Sequence, residues 1–98
     1  MGEVEFYYKG NKTIIQCRKD EKMKDIFKKF LYKIQNLDIN KIFFLYSGNA
    51  NINGELSFEE VANENDKIRN KMNIIVNDID NIKKESNIKI KKYNMSNM

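Results

Sequence analysis

Histidine, tryptophan and proline are absent from this 98-residue chain, cysteine occurs once, and only two of the 18 basic residues are arginine. Without histidine the chain lacks the commonest general base and the commonest metal ligand. Its one thiol, Cys17, has no imidazole to activate it. Cys17 also alternates with Ile15 on the inward side of an expected strand, so a buried structural thiol is predicted rather than a nucleophile. The acid pairs Asp78/Asp80 and Glu59/Glu60 read as solvated surface charge. The expectation is a protein that is not an enzyme and takes no cofactor and no metal.

A single cysteine cannot close an internal disulfide, which points to a reducing compartment, cytoplasmic or nuclear. No apolar run approaches the ~20 residues that cross a bilayer. The segment Met1-Gly2-Glu3-Val4-Glu5-Phe6 lacks the basic and apolar regions of a signal peptide, and Phe6 stands where a myristoylation signal needs Ser or Thr. No membrane partner is expected, and the acceptor triplets at Asn11 and Asn94 carry no weight without secretion. The net charge of +4 accompanies 16 Lys, 15 Asn and 14 Ile. Specific nucleic-acid surfaces lean on Arg for bidentate base contacts, and here the basic residues are scattered Lys, so no nucleic-acid partner is expected.

What the chain does have is 41% apolar and 33% charged residues, a balance that suits one small soluble domain. Val4, Phe6 and Tyr8 alternate with Glu5, Tyr7 and Lys9, as a half-buried strand requires. Gly10-Asn11 offers the positive φ values of a tight hairpin turn, after which Thr13, Ile15 and Cys17 form the inward set of a second strand. Asp20 is the expected N-cap of a helix whose stripe is Met23, Ile26, Phe27, Phe30, Leu31 and Ile34. Burying those six side chains contributes roughly 10 kcal/mol before entropy is set against it.

Beyond the helix, Ile42-Phe43-Phe44-Leu45-Tyr46 is too apolar and aromatic for a loop and reads as a central strand. Gly48 supplies a tight turn, the Asn-rich region 47–55 further turns, and 56–61 a short helical segment with Leu56 and Val61 inward. A charged loop over 63–71 then leads to a closing strand with Met72, Ile74 and Val76 inward. The predicted fold class is α+β, a mixed sheet of four to five strands crossed by one amphipathic helix, in the order β-β-α-β-β. The domain is placed at residues 1–77, with 78–98 a Lys-, Asn- and Ile-rich tail expected to be flexible or a short extension.

This order of parts resembles the ubiquitin family, over about residues 4 to 77, by pattern and spacing. The resemblance implies a β-grasp roll. It also implies function by one of two routes, conjugation through a terminal Gly-Gly or recognition by the exposed sheet face. No glycine follows Gly54, so the expectation is a non-conjugated module that binds protein partners, ubiquitin-pathway receptors among them, as a monomer. Leu45 and Ile75 fall where ubiquitin keeps two of its three patch residues, and Phe43 lies two residues before Leu45 on the same face. The third, a Leu in the first turn, is missing. Candidate partner-binding residues are therefore Tyr7, Lys9, Phe43, Leu45, Gly48 and Ile75, with Lys12 nearby.

The region 49–60 supports a second reading. Asn49, Asn51, Asn53, Gly54 and Glu60 match positions 1, 3, 5, 6 and 12 of an EF-hand loop, with Leu56 at its apolar position. Asn replaces the usual Asp ligands, and residues 1–36 hold no second loop. Ras-binding and PB1 domains share the roll as well; the former would use Lys12, Arg18 and Lys19 at the edge of the second strand.

Overall fold

A computed structural model describes residues 1–79; expectations for the tail from Asp80 onward lie outside the described residues. Four strands, β1 (Gly2–Tyr8), β2 (Asn11–Cys17), β3 (Ile42–Leu45) and β4 (Lys71–Asp78), form one sheet in the order β2-β1-β4-β3. The outer pairs are antiparallel, and β1 runs parallel to β4 with Val4 beside Met72 and Phe6 beside Ile74. Helix α1 (Met23–Ile34) crosses one face, while α2 (Phe58–Val61), α3 (Glu64–Arg69) and a 3-10 turn at Ile39–Lys41 occupy the connections. The architecture is the expected α+β roll, with four strands.

Alternation decides which face is covered. Val4, Phe6, Ile15, Cys17, Ile42, Phe44, Met72, Ile74 and Val76 are buried beneath α1, which contributes Met23, Ile26, Phe27 and Phe30. At the centre Phe6 stacks on Phe30 with centroids 4.3 Å apart, and Phe27 stacks on Phe44 at 4.1 Å. Edge-to-face contacts of 5.9–6.2 Å join the two stacks. Offset and T-shaped arrangements match the quadrupole of each ring to its neighbours, which adds specificity to burial.

Four local expectations are corrected. The first turn is Lys9-Gly10, at φ 49° and 81°, and Asn11 already belongs to β2; a two-residue loop whose twist matches the strands needs positive φ at both central positions, and Lys9 accepts it. Asp20 is not the N-cap of α1. That place belongs to Lys22, whose side chain does not cap, and Asp20 instead pairs with Arg18 at 3.0 Å. The first helical N–H groups are satisfied by backbone: Met23 donates to the Leu56 carbonyl at 2.8 Å and Lys24 to Gly54 at 3.0 Å. A distant segment thus does what a local side chain was expected to do.

Leu56 is 37% exposed, and the buried plug is Phe58. The capping box of Ser57 and Glu60 starts α2 at Phe58 and turns that ring inward, while Leu56 is held at the start of α1 by its own carbonyl. Val61, by contrast, does pack against the core. The stretch 63–71 is not a loop but α3, capped by the Asn63 side chain and ended by Asn70 in the left-handed conformation; β4 then runs from Lys71 to Asp78, one residue past the expected domain end.

Replacing Phe30 by Ala removes one ring from both kinds of aromatic contact. The expected cost is about 3–5 kcal/mol, a large share of the 5–15 kcal/mol typical of a domain. Tyr32 is 86% exposed on the opposite side of the same helix, and Tyr32→Ala is expected to stay within about 0.5 kcal/mol of the parent. Urea unfolding checks both, and equal shifts would mean that α1 packs by another face.

Candidate interaction surface on the open sheet face

The residues that alternate with the core set point away from α1. Strand register places them in rows. One row runs Lys12, Tyr7, Ile75, Leu45 across all four strands, since Tyr7 pairs with both Lys12 and Ile75, and Ile75 with Leu45. Beside it Phe43 stands opposite Asn77. On the other side come Ile14, Glu5 and Asn73, then Gln16, Glu3 and Lys71. Ile75 is 50% exposed at the middle of the apolar row, flanked by partly exposed Tyr7 and Leu45. Side chains directly opposite on neighbouring strands lie within contact range, so Tyr7, Ile75 and Leu45 form one continuous ridge.

Tyr7, Phe43, Leu45 and Ile75 are therefore brought together as the sequence suggested. Lys9 is not. Its ammonium pairs with Asp78 at 3.3 Å and lies over the Tyr8 ring, at the end of the sheet that faces the helix layer. Lys12, not Lys9, is the cation at the end of the row. Gly48 does adopt positive φ, 78°, in the turn that follows β3, where Tyr46 and Asn49 exchange backbone hydrogen bonds. It shapes the turn three residues beyond Leu45 and offers no side chain to the row.

Sequence reasoning missed Glu5. It points to the open face yet is 6% exposed. The Tyr7 hydroxyl donates to it at 2.7 Å and the Lys71 ammonium at 2.9 Å, with Lys71 also 3.7 Å from Glu3. The Tyr7 bond and then Lys71 hold the Glu5 carboxyl at about 2 instead of the ordinary 4.5, and the same bond raises the Tyr7 phenol. An anion packed under side chains is tolerable only when paired this closely. The result divides the face: an ion-paired Glu5–Lys71 cluster with Glu3 beside it on one part and an apolar row on the other, with Tyr7 belonging to both. The i, i+2 spacing of Glu5 and Tyr7 was visible in the sequence, but Lys71 arrives through the parallel register of β1 and β4.

The expected structural thiol is borne out in its placement. Cys17 is 1% exposed, and burial together with the nearby Glu21 charge pushes its thiol up to about 11, which suppresses the reactive thiolate. Glu21 is itself buried. Burial pushes its carboxyl up, but Lys29 at 2.7 Å and the Arg18 N–H outweigh that and leave it lowered.

The EF-hand reading fails on its frame. Residues 49–60 follow a strand, not a helix, and their donor groups are engaged by the fold. Glu55 takes Lys22 at 3.1 Å and Lys24 at 2.8 Å, Glu60 closes the capping box of α2, and the Asn49 and Asn53 side chains accept backbone N–H groups at 2.9 Å.

A carboxyl whose folded pKa lies below its unfolded value adds stability that is complete above the unfolded value and is lost as pH falls through the folded one. For Glu5 that window is from about 4.5 down to about 2. Glu5→Gln is expected to flatten stability across that window and to lower it at neutral pH by about 1–3 kcal/mol. Denaturant midpoints across the range check this, and a parallel pH dependence in both proteins would mean that Glu5 is not paired as described.

No protein-family model matches the chain, and no curated protein sequence does. Solved structures do match its shape. The ubiquitin-like domain of the Arabidopsis thaliana protein At2g32350 superposes with a TM-score of 0.56 at 16% identity, covering 78% of this chain and 74% of that one. The corresponding domain of yeast Ddi1 gives 0.58 at 14% identity, over 79% and 87% of the two chains. That of Plasmodium falciparum Dsk2 gives 0.51 at 16%, over 78% and 97%. At such identities the likeness is one of backbone path and speaks for the fold alone. With the strand order, the parallel β1–β4 pair and the crossing helix already in place, the chain has the ubiquitin-like β-grasp fold.

Proposed function

We propose that this chain is a non-enzymatic module that binds partner proteins on the open face of its sheet and is not itself conjugated. The observation that carries the proposal is the row Tyr7, Ile75, Leu45, with Phe43 beside it and Lys12 at its end. Exposed apolar side chains that are continuous across three strands and edged by charge have the composition of a protein-docking patch. The Glu5 bond adds to it, because a Tyr7 ring fixed before contact loses less freedom on binding. Further support is the ubiquitin-like fold, which leaves this face of the sheet uncovered by α1. The module acts as a monomer in a reducing cytoplasmic or nuclear compartment, with ubiquitin-pathway receptors as the first partners to test.

No helix among the described residues is long and apolar enough to cross a membrane. A pocket of about 280 Å³ lined by Lys19, Phe58, Glu59, Lys67 and Asn70 carries both signs of charge, which gives it no evident ligand preference.

Ile75→Asp and Leu45→Asp each place a carboxylate in the apolar row. Ile75 is the more exposed of the two, and its variant is expected to keep the circular dichroism and melting behaviour of the parent while losing the proteins that the parent captures from lysate. Tyr32→Ala, on the far side of the molecule, is the matched control. Capture unchanged in both carboxylate variants would remove the sheet-face site. Calcium is expected to leave the far-UV spectrum unchanged and to release no heat of binding; a helix-increasing response would return the loop 49–60 to consideration as a cation site.

A further inference from the structure

Asn53-Gly54 is the one Asn-Gly pair of the chain, and it lies in a segment that the interaction surface does not use. Asn53 is exposed, outside any helix or strand. Its side-chain carbonyl accepts the Glu55 N–H at 2.9 Å, so the side chain is turned forward along the chain across the Gly54 peptide. Hydrogen bonding to that oxygen also draws electron density from the amide carbon. Glycine places no side chain in the way of its own nitrogen.

The packing favours glycine at this position. A Cβ on Gly54 would meet the Lys24 Cβ at 3.0 Å, because Gly54 lies against the start of α1 and gives its carbonyl to the Lys24 N–H. The pairing of an exposed asparagine with an unshielded following nitrogen is thus built into the contact that caps the main helix.

We propose that Asn53 is a site of spontaneous deamidation in the folded protein, and that one of its two products loosens the start of α1. In the first step the Gly54 nitrogen, having lost its proton to hydroxide, forms a bond to the Asn53 side-chain amide carbon. The bond from that carbon to Nδ2 breaks, and ammonia leaves with a proton from water, giving a five-membered succinimide. Water then opens the ring. Attack at the former side-chain carbonyl yields aspartate on an unchanged backbone; attack at the main-chain carbonyl yields isoaspartate, in which the chain runs through the former side chain. The balance is one water consumed and one ammonia released, with no change of oxidation state.

The two products differ in what they do to the fold. Aspartate keeps the oxygen that accepts the Glu55 N–H and keeps the backbone register. Isoaspartate inserts a methylene into the main chain immediately before Gly54, and the carbonyls of Gly54 and Leu56 are the acceptors for Lys24 and Met23. Neither Lys22 nor any other side chain caps that end, so a shifted loop leaves two helical N–H groups without partners.

The test incubates the full-length folded protein at mildly alkaline pH and follows each asparagine by peptide mass spectrometry, with fragmentation that separates aspartate from isoaspartate. The expected result is conversion at Asn53 several-fold faster than at Asn49 and Asn51 in the same loop, rising with pH and abolished in Asn53→Gln. The isoaspartate form, isolated by ion exchange, is expected to melt below the starting protein, while the Asn53→Asp variant melts with it. Conversion no faster at Asn53 than at its neighbours, or conversion seen only after unfolding in urea, would overturn the site. An isoaspartate form with unchanged melting would overturn its effect on α1. Because none of these readouts involves a binding partner, they stand apart from the fate of the sheet-face proposal.

Discussion

The contact on which the structure turns is the meeting of Phe6, Phe27, Phe30 and Phe44, one ring from β1, two from α1 and one from β3. None of these three elements can slip against another without separating rings whose centroids lie 4.1–6.2 Å apart. Because Phe6 is inward, Tyr7 must be outward; because Phe44 is inward, Phe43 and Leu45 must be outward. The two-residue period of a strand converts a decision made in the core into the composition of the opposite face. The candidate surface is in this sense the reverse side of the phenylalanine cluster, and its alignment across the sheet follows from β1 and β3 both being held to β4 in register.

Much of this was legible in the sequence, and physics explains where legibility stopped. Alternation in Val4-Glu5-Phe6-Tyr7-Tyr8 and the three-and-four spacing from Met23 to Ile34 are local signals repeated several times, so each survives one irregular position. They gave the strands, the helix and the inward set almost residue by residue, while it was the resemblance to the ubiquitin family that put Leu45 and Ile75 on the same face before any register was known. Caps and turns depend on one or two residues, and tertiary contacts override them easily. Asp20 has the chemistry of an N-cap, but Gly54 and Leu56 bring carbonyls to the same N–H groups. Gly10-Asn11 has the composition of a tight turn, but the strand register sets it one residue earlier, at Lys9-Gly10. Asn63 caps α3 through a side chain that is equally common in loops, and the segment 63–71 has no apolar periodicity that would mark a helix.

The open face shows the same limit in its electrostatics. Glu5 and Lys71 are 66 positions apart and have no local reason to be associated. Only the parallel pairing of first and last strands places them 2.9 Å apart, and only that proximity makes it tolerable to cover the carboxylate. Once formed, the pair removes charge from the middle of the sheet and leaves the Tyr7 hydroxyl pointing along β1 instead of outward. A face that composition alone describes as mixed thereby separates into a polar, ion-paired half and an apolar half, and that separation, more than the count of apolar residues, is what the proposed docking site rests on.

The stretch 49–60 had two readings because its asparagines, glycine and glutamates suit either a cation loop or a tight connection, and hydrogen-bond accounting decides between them. A cation loop needs its carboxylates and carbonyls to converge on one point. Here they diverge: Glu55 turns to Lys22 and Lys24, Glu60 to the Ser57 N–H, and the Gly54 and Leu56 carbonyls to the helix beyond. Each of these partners lies at the end of an element that would otherwise carry unsatisfied N–H groups or unbalanced charge. The loop is spent on holding α1 and α2 in place, and α1 brings Phe27 and Phe30 to the sheet. The segment that looked most like an independent function is thus part of what keeps the core rings together, and through them the row on the opposite face.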